Sequence, residues 1–243
     1  MRMLTFANRN VKEILRDPLN LFFGLGFPIV LILLLSAIQA NIPVELFEIG
    51  HLTPGITVFG LSFMTLFSAT LISKDRGSSL LQRLYTTPLN PTDFILGYAL
   101  PILPIGMAQS IICYLIAMIL GLKFTPNILL AILFIIPVCL LYIALGLLCG
   151  SVFNDKQVGG ICGALLTNLS AWLSGIWFDL NLVGGAFKKI AYALPFVHAV
   201  ELERGILSGD FTNALSHLWW VLGYAIALMI LAVLLFLRQM KKQ

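Results

Sequence analysis

The chain has 243 residues, of which 59% are apolar and only 11% are charged. A soluble domain of average composition carries about 25% charged residues, so this composition excludes an ordinary water-soluble enzyme. The formal net charge of +4 is small, which argues against a basic nucleic-acid-binding protein and predicts no nucleic-acid partner. We therefore expect the lipid bilayer to be the solvent of this chain.

Residues 1–18 are predicted to form an amphipathic helix that lies on the membrane surface. The apolar side chains recur at helical spacing and share one face, whereas the basic ones lie largely off that face; the apolar set is Met3, Leu4, Ala7, Val11, Ile14 and Leu15. Glu13 and Asp17 argue against a cleaved signal peptide, as does the long apolar run that follows.

Six segments of 21 to 27 residues contain no Asp, Glu, Lys or Arg, and each is long enough to cross a hydrocarbon core about 30 Å thick as a helix. They are residues 19–40, 53–73, 94–120, 128–153, 158–178 and 215–237. Backbone polar groups in lipid must be paired within the segment, so these segments are predicted to be helices. The sequence predicts an all-α membrane protein with six spans, forming one transmembrane domain over residues 1–243.

The distribution of Lys and Arg between the loops predicts the orientation of this domain. With both termini in the cytoplasm, eleven of the 15 basic residues lie on the inner side and four lie outside. Lys and Arg are enriched in cytoplasmic loops, and an even number of spans places both termini on one side. We expect a multi-pass protein of the cell membrane with both termini cytoplasmic.

The spans lack the groups that membrane enzymes and ion-coupled carriers use. His217 is their only ionisable side chain apart from cysteine and tyrosine, and its position beside Trp219 and Trp220 fits an interfacial aromatic belt. No phosphate-binding loop, zinc-peptidase helix, nucleophile elbow or potassium filter is present in the sequence. We predict no catalytic, cofactor-binding or metal-binding residues, and we expect a separate nucleotide-hydrolysing subunit to supply the energy.

The inner loop at residues 74–93 carries the signals of a short amphipathic helix. Ser79 and Gln82 have the spacing of a capping box, and Pro88 ends the predicted helix. Its apolar side chains, Leu80, Leu81, Leu84 and Tyr85, fall on one face. Such a helix can rest on lipid head groups or dock into a partner, and the pattern alone favours neither.

This loop resembles that of ABC-2-type transporter permeases. The similarity lies in Lys74-Asp75-Arg76, in Leu80-Leu81-Gln82-Arg83-Leu84 and in Thr87-Pro88-Leu89. A second match lies near the predicted outer face, in Ser174-Gly175, Leu194-Pro195-Phe196 and Arg204-Gly205-Ile206. The glycine that usually opens the Leu-rich helix of this family aligns with Ser79 here.

The resemblance implies the membrane half of an ATP-driven multidrug, antibiotic or lipid exporter. A second permease copy or a related chain would complete the transporter, and ATP and magnesium would bind to a separate ABC ATP-binding subunit. The helix would couple the two subunits, with Leu81, Leu84 and Tyr85 as apolar anchors and Arg83 pairing with acidic groups. The residues implied in coupling are Ser79, Leu80, Leu81, Arg83, Leu84, Tyr85 and Pro88.

The segment from 179 to 213 is predicted to form short re-entrant helices before the last span. Its charged residues form a possible outer gate or cap helix ends, and the structural role is favoured; the gate candidates are Asp179, Glu201, Glu203 and Arg204. Spans without charge suit a hydrophobic or amphipathic substrate such as a drug, antibiotic, peptide or lipid. Two alternatives stay open: an ATP-independent channel or carrier, and a non-transporting immunity or sensor component.

Overall fold

The computed structural model describes residues 2–43, 47–78 and 91–240, and these residues form helices and connecting turns without a strand. Their helices, numbered here in chain order, are α1 (Arg2–Leu15), α2 (Pro18–Gln39), α3 (Ile49–Gly77), α4 (Pro91–Ile119), α5 (Pro126–Val152), α6 (155–173), α7 (Leu180–Val183), α8 (Gly185–Ala193), α9 (Pro195–Ser208) and α10 (Phe211–Met240). A π-helical turn, Phe22–Gly26, lies within α2. The predicted all-α class is confirmed.

Five of the described helices are long and apolar enough to cross a membrane. These are α2, α3, α4, α5 and α10, and each contains one of the predicted spans to within one residue. The agreement arises because a run without charges marks the part of a helix that can lie in hydrocarbon. The multi-pass membrane class is thereby confirmed.

The remaining predicted span, 158–178, differs from its prediction. The helix in this region, α6, begins earlier at Asp155 and ends at Leu173, and its middle part, Gly159–Leu166, is π-helical. Gly175 follows with a φ of +70°, a backbone conformation in which a helix cannot continue. Because α6 is not among the five helices above, the count of six spans stays a prediction.

Helix α6 follows α3 in the opposite direction over most of its length. At its start Ser73 donates to Asp155 at 3.3 Å, with the hydroxyl Oγ as donor and the carboxylate Oδ1 as acceptor. Gly163, in the middle of α6, faces Leu66, and just beyond its end Ile176 packs against Gly55. The path of α6 therefore covers α3 from Ser73 back to Gly55.

Helix α3 lies at the centre of the bundle. It contacts α2, α4, α5, α6 and α9, and 89% of the residues in its most apolar stretch are buried. The approach to α5 is close, because a Cβ atom added to Gly146 would lie 2.5 Å from the Thr65 carbonyl oxygen. The Thr65 hydroxyl also donates to the carbonyl of Tyr142 at 3.0 Å, so backbone meets backbone here.

The antiparallel order of the helices gives the bundle two ends. We call the first the terminal face, because α1, the start of α4 and the end of α10 meet there through the rings of Phe6, Phe94 and Phe236. The other end, which we call the opposite face, carries the three short helices α7, α8 and α9 in the segment predicted to form short helices. Helix α9 is the most buried of them and packs against α3, α5 and α10.

Candidate functional site

Asp75 joins three helices at the terminal face. It lies in the last turn of α3, its side chain is only 2% exposed, and both of its carboxylate oxygens accept hydrogen bonds. Arg9 of α1 donates to Oδ2 at 2.5 Å and to Oδ1 at 2.7 Å. Tyr98 of α4 donates its hydroxyl to Oδ2 at 2.9 Å. The paired guanidinium offsets the cost of burying the carboxylate.

Two neighbouring contacts hold α1 against α4. The Asn10 amide donates to the carbonyl oxygen of Gly97 at 2.9 Å, and both groups are buried. The Phe6 ring meets Tyr98 edge-on with its centroid 5.0 Å away, an arrangement that aromatic pairs prefer. Helix α1 is therefore fastened to the bundle by a polar contact and an aromatic contact beside the ion pair.

The face of α1 that packs against the bundle differs from the apolar face that is predicted to lie on the membrane surface. Of the predicted apolar set, Ala7 and Ile14 are buried, whereas Leu4 and Leu15 are exposed. Phe6 and Asn10 take their place against the bundle. The contact of Asn10 could not be predicted from the apolar periodicity, because Asn10 is polar and its partner is a backbone carbonyl 87 residues away in the chain.

Arg9 carries a second acidic partner at the same position. Its guanidinium lies 2.6 Å from the Glu13 carboxylate one turn along α1. The hydrogen bond to Asp75 raises the pKa of the Arg9 guanidinium above its ordinary value, against the lowering effect of burial. The Arg9 guanidinium therefore stays charged between its two acidic partners.

The end of α3 also contacts the end of α5. Arg76 donates from Nη1 to the carbonyl oxygen of Gly150 at 2.6 Å and to that of Phe153 at 3.4 Å. These carbonyls belong to the end of α5, where helical carbonyls lack intrahelical partners. Side-chain contacts with α1 and α4 on one side and with α5 on the other therefore hold the last turn of α3, which leads into the loop at 79–90.

The predicted coupling residues lie outside the described residues. The set comprises Ser79, Leu80, Leu81, Arg83, Leu84, Tyr85 and Pro88. The structure therefore places the turn from which they emerge, at Asp75 to Ser78, and not the residues themselves.

At the opposite face Arg204 connects three parts of the chain. Its guanidinium donates to Glu201 at 2.9 Å, to the Gly175 carbonyl at 3.2 Å and to the His51 carbonyl at 3.4 Å. Burial lowers the pKa of Arg204, and Glu201 opposes that change. The Arg204 side chain therefore links α9 to the start of α3 and to the turn after α6.

Three of the four predicted gate residues line one cavity. Asp179, Glu201 and Arg204 lie in the wall of a cavity of about 600 Å³ at the opposite face, together with the aromatic rings of Trp177 and Tyr192. Asp179 also accepts a hydrogen bond from the Asn181 backbone nitrogen at 2.8 Å and so caps α7. The cavity combines apolar walls with carboxylate and guanidinium groups.

Glu203, the fourth gate candidate, does not line this cavity. Its side chain is fully buried and turned into the bundle, where the Tyr114 hydroxyl of α4 donates to Oε2 at 3.2 Å. Its Oε1 atom has no hydrogen-bond partner among the described residues. Burial raises the pKa of the Glu203 carboxyl well above its ordinary value. We conclude that it is a buried acid and not part of the cavity wall.

Two histidines that the sequence left apart are in contact near the opposite face. The Nδ1 atoms of His198 and His217 lie 2.7 Å apart, and Nε2 of His198 lies 3.0 Å from the Tyr192 carbonyl oxygen. Because a carbonyl only accepts, this Nε2 carries a proton. His198 also stacks on Trp220, with ring centroids 4.7 Å apart.

Some of these contacts had a signal in the sequence and others had none. Glu201 and Glu203 are two residues apart, so a helix turns their side chains about 200° from each other. That spacing could have separated the cavity residue from the buried one. The pairs of Arg9 with Asp75 and of Tyr114 with Glu203 are 66 and 89 residues apart in the chain, and no local pattern marks them.

Comparison with known families agrees with the fold. The ABC-2 type transporter family matches residues 1–208, which is most of the chain and includes both the contacts of α1 with Asp75 and the contacts of Arg204. A comparison with individual curated proteins gave no match. Members of this family are transport permeases and normally work with an ABC ATP-binding subunit. On this match, the chain belongs to the ABC-2 type transporter family.

Proposed function

We propose that this chain is the permease subunit of an ATP-driven exporter and that a separate subunit binds ATP and magnesium. The observation that carries the proposal is the bracing of the last turn of α3 by Arg9, Tyr98 and the Arg76 contacts. A loop that only connects two spans needs no such support. A loop that transmits force from a partner needs a rigid base.

Helix α3 is suited to carry that force across the membrane. Its 29 residues correspond to a length of about 43 Å. At one end of α3, Arg9 holds Asp75. At the other end, the His51 carbonyl accepts a hydrogen bond from Arg204, which lines the cavity at the opposite face and, in this proposal, the outer side of the membrane. A displacement of the loop at 79–90 would therefore reach the cavity through one packed element.

The loop itself supplies the docking surface in this proposal. Ser79 caps a short helix and Pro88 ends it, while Leu80 lies on its apolar face. Leu81, Leu84 and Tyr85 anchor the helix in a groove of the ATP-binding subunit, and Arg83 pairs with acidic groups there. A second copy of this chain, or a related permease, completes the transporter.

We propose six spans, with α6 as the fifth in chain order. Its path from Ser73 back to Gly55 along α3 supports this, because α3 is itself long enough to cross the membrane. Six crossings place both termini on one side of the cell membrane, and the excess of Lys and Arg on that side makes it the cytoplasmic side. The terminal face is then cytoplasmic.

The outer cavity is proposed as the exit of a hydrophobic or amphipathic substrate. Trp177, Tyr192 and neighbouring apolar side chains offer contacts for a drug, antibiotic, peptide or lipid. The pair of Glu201 and Arg204, with Asp179 beside it, forms the gate. Opening requires Arg204 to release the carbonyls of His51 and Gly175.

Copurification tests the proposal. The tagged chain is purified from the membranes of its own cells, and the purified assembly is assayed for ATP hydrolysis with candidate compounds. We expect an ABC ATP-binding protein to copurify with the wild type, and substrate to stimulate hydrolysis.

The variant Leu84→Asp should lose this protein. The matched control Leu182→Asp, at a strongly exposed leucine of the opposite face, should retain it. Retention by Leu84→Asp as well would remove the docking assignment, and absence of any ATP-binding protein from the wild type would contradict the exporter itself.

One observation favours a second candidate, an ion-coupled carrier. The sequence argued against it because the spans lack acidic groups, yet Glu203 places a carboxyl group inside the bundle against α4. Intramembrane carboxyl groups are typical of proton relays. Uptake into inverted vesicles separates the two functions: an exporter needs ATP and keeps working in Glu203→Gln, whereas a proton-coupled carrier works on a pH gradient and stops in that variant.

A further inference from the structure

The face of α1 that is turned away from the bundle carries a basic groove. The groove has a volume of about 440 Å³ and is lined by Thr5, Asn8, Arg9, Lys12, Glu13 and Arg16. Arg9 pairs with both Glu13 and Asp75. Lys12 and Arg16 are exposed one helical turn apart, and neither forms an ion pair with any residue that the structure describes.

In the proposed topology, the groove lies near the level where hydrocarbon meets lipid head groups. Helix α1 touches α4 at Phe94, Gly97 and Tyr98. Gly97 is the seventh residue of α4, about 9 Å along the axis from its first residue. Because α4 crosses the membrane from this end, α1 lies beside the first turns of the spans and not far out in solvent.

An apolar flank borders the two cations. Leu15 of α1 is 60% exposed, and it is followed by Leu19 and Phe22 of α2, which are 66% and 55% exposed. Leu15 is only about 60° around the helix from Lys12. The surface thus changes from cationic to apolar within one helix width, and its apolar part continues directly into the first span.

We propose that Lys12 and Arg16 bind the phosphate of an anionic glycerophospholipid in the leaflet at the terminal face. The guanidinium of Arg16 and the ammonium of Lys12 complement the phosphate charge, and the Asn8 amide offers a neutral donor. The acyl chains lie along Leu15, Leu19 and Phe22. The apolar continuation into the membrane selects a lipid over an acidic protein, which would leave these side chains uncovered.

The proposal depends on the membrane location of the chain and not on the proposed substrate or ATP-binding partner. Its test uses the full chain, purified in detergent, and native mass spectrometry of the lipids that it retains. The probes are phosphatidylglycerol, phosphatidylcholine and inorganic phosphate, each added separately. We expect the wild type to retain phosphatidylglycerol in preference to phosphatidylcholine.

The double variant Lys12→Ala/Arg16→Ala should retain about thirtyfold less phosphatidylglycerol, since each basic residue near a membrane surface contributes about 1 kcal/mol to the attraction of anionic lipid, about 2 kcal/mol for the pair. The matched control is Lys156→Ala/Arg238→Ala, which removes two exposed cations from the same face. It should retain phosphatidylglycerol as the wild type does. Neither double variant removes an ion pair between residues that the structure describes, so an unchanged melting temperature verifies that both are folded.

Three results would overturn the proposal. Equal phosphatidylglycerol retention by the wild type and the Lys12/Arg16 variant would exclude the site. Equal loss in the Lys156/Arg238 control would show general charge attraction instead of a groove. Loss of a copurifying ATP-binding protein from the Lys12/Arg16 variant, with lipid retention unchanged, would assign the groove to a protein partner.

Discussion

Asp75 carries most of the polar structure of the terminal face, and its removal should be costly. Asp75→Ala removes the buried carboxylate to which Arg9 and Tyr98 donate, and Arg9 keeps Glu13 as an acidic partner. Because Arg9 is 37% exposed, water screens part of the loss, and we expect about 2 kcal/mol of destabilisation. The measurement is the melting temperature in detergent.

The control for this prediction is Asp155→Ala, which removes an exposed carboxylate with one long contact to Ser73. It should change the melting temperature little. The double variant Arg9→Ala/Asp75→Ala should be hardly less stable than Asp75→Ala alone, because the two side chains act as one unit. Additive losses would mean that the two side chains stabilise the protein independently.

Glu203 makes the stability of the protein depend on pH. Burial raises the pKa of this carboxyl in the folded protein, whereas the unfolded chain has a pKa of about 4.3. As pH rises above that value, the unfolded state ionises first, and stability falls until the folded pKa has been passed. Glu203→Gln does not titrate, so its melting temperature should exceed that of the wild type by a margin that grows from pH 5 to pH 8.

The exposed Glu48 provides the matched substitution for this measurement. Glu48→Gln removes an exposed carboxylate and should leave the melting temperature close to that of the wild type. If the Glu203→Gln and wild-type melting temperatures run parallel between pH 5 and pH 8, the carboxyl is not held in its protonated form.

At the scale of helices, the contact between α3 and α5 distinguishes two glycines. A Cβ at Gly146 would lie 2.5 Å from the backbone oxygen of Thr65, whereas one at Gly223 in α10 meets no atom within 4 Å. Gly146→Ala should therefore force the helices apart and cost about 1–3 kcal/mol. Gly223→Ala should be neutral or stabilising by up to about 1 kcal/mol, since alanine favours a helix.

Melting temperatures and the yield of monodisperse protein measure this difference. The two substitutions add the same methyl group to a helical glycine, so opposite shifts report the close approach alone. Equal shifts in the two variants would mean that α3 and α5 are not in backbone contact at Gly146.

The helices themselves were predictable, but their arrangement was not. Charge-free runs marked α2 to α5 and α10 because charge is expensive in hydrocarbon. The same criterion failed to give the bounds of α6, because the helix begins at the charged residues Asp155 and Lys156 and ends at Leu173, two residues before Gly175 with its positive φ. Close packing between membrane helices depends on small residues such as Gly, Ser and Thr. The positions of these residues follow no helical period like that of an amphipathic helix in water, so the sequence does not show how the helices are arranged.

For the whole molecule, the least apolar span is the most buried one. The mean hydropathy of α3 is 1.8 and 89% of its most apolar stretch is buried, whereas α10 has a mean hydropathy of 2.6 and 22% burial. Lipid accepts apolar side chains as readily as a protein interior does, so small and hydroxyl residues are the ones that gain from burial between helices. This preference explains why α3 lies at the centre of the bundle, where it connects the terminal face with the opposite face.

The topology of the complete chain gives the last prediction. Helix α6 has 19 residues, about 28 Å of helix, which nearly matches a hydrocarbon core of about 30 Å. Gln157 lies in its first turn and Leu182 follows its end, and both are exposed. In a chain whose four buried cysteines are replaced by alanine, Leu182→Cys should react with a membrane-impermeant maleimide in intact cells, whereas Gln157→Cys should react only after permeabilisation. Asn8→Cys in α1 should behave like Gln157→Cys, because six crossings keep the terminal face inside; labelling of Gln157→Cys and Leu182→Cys from the same side would reduce the count to five.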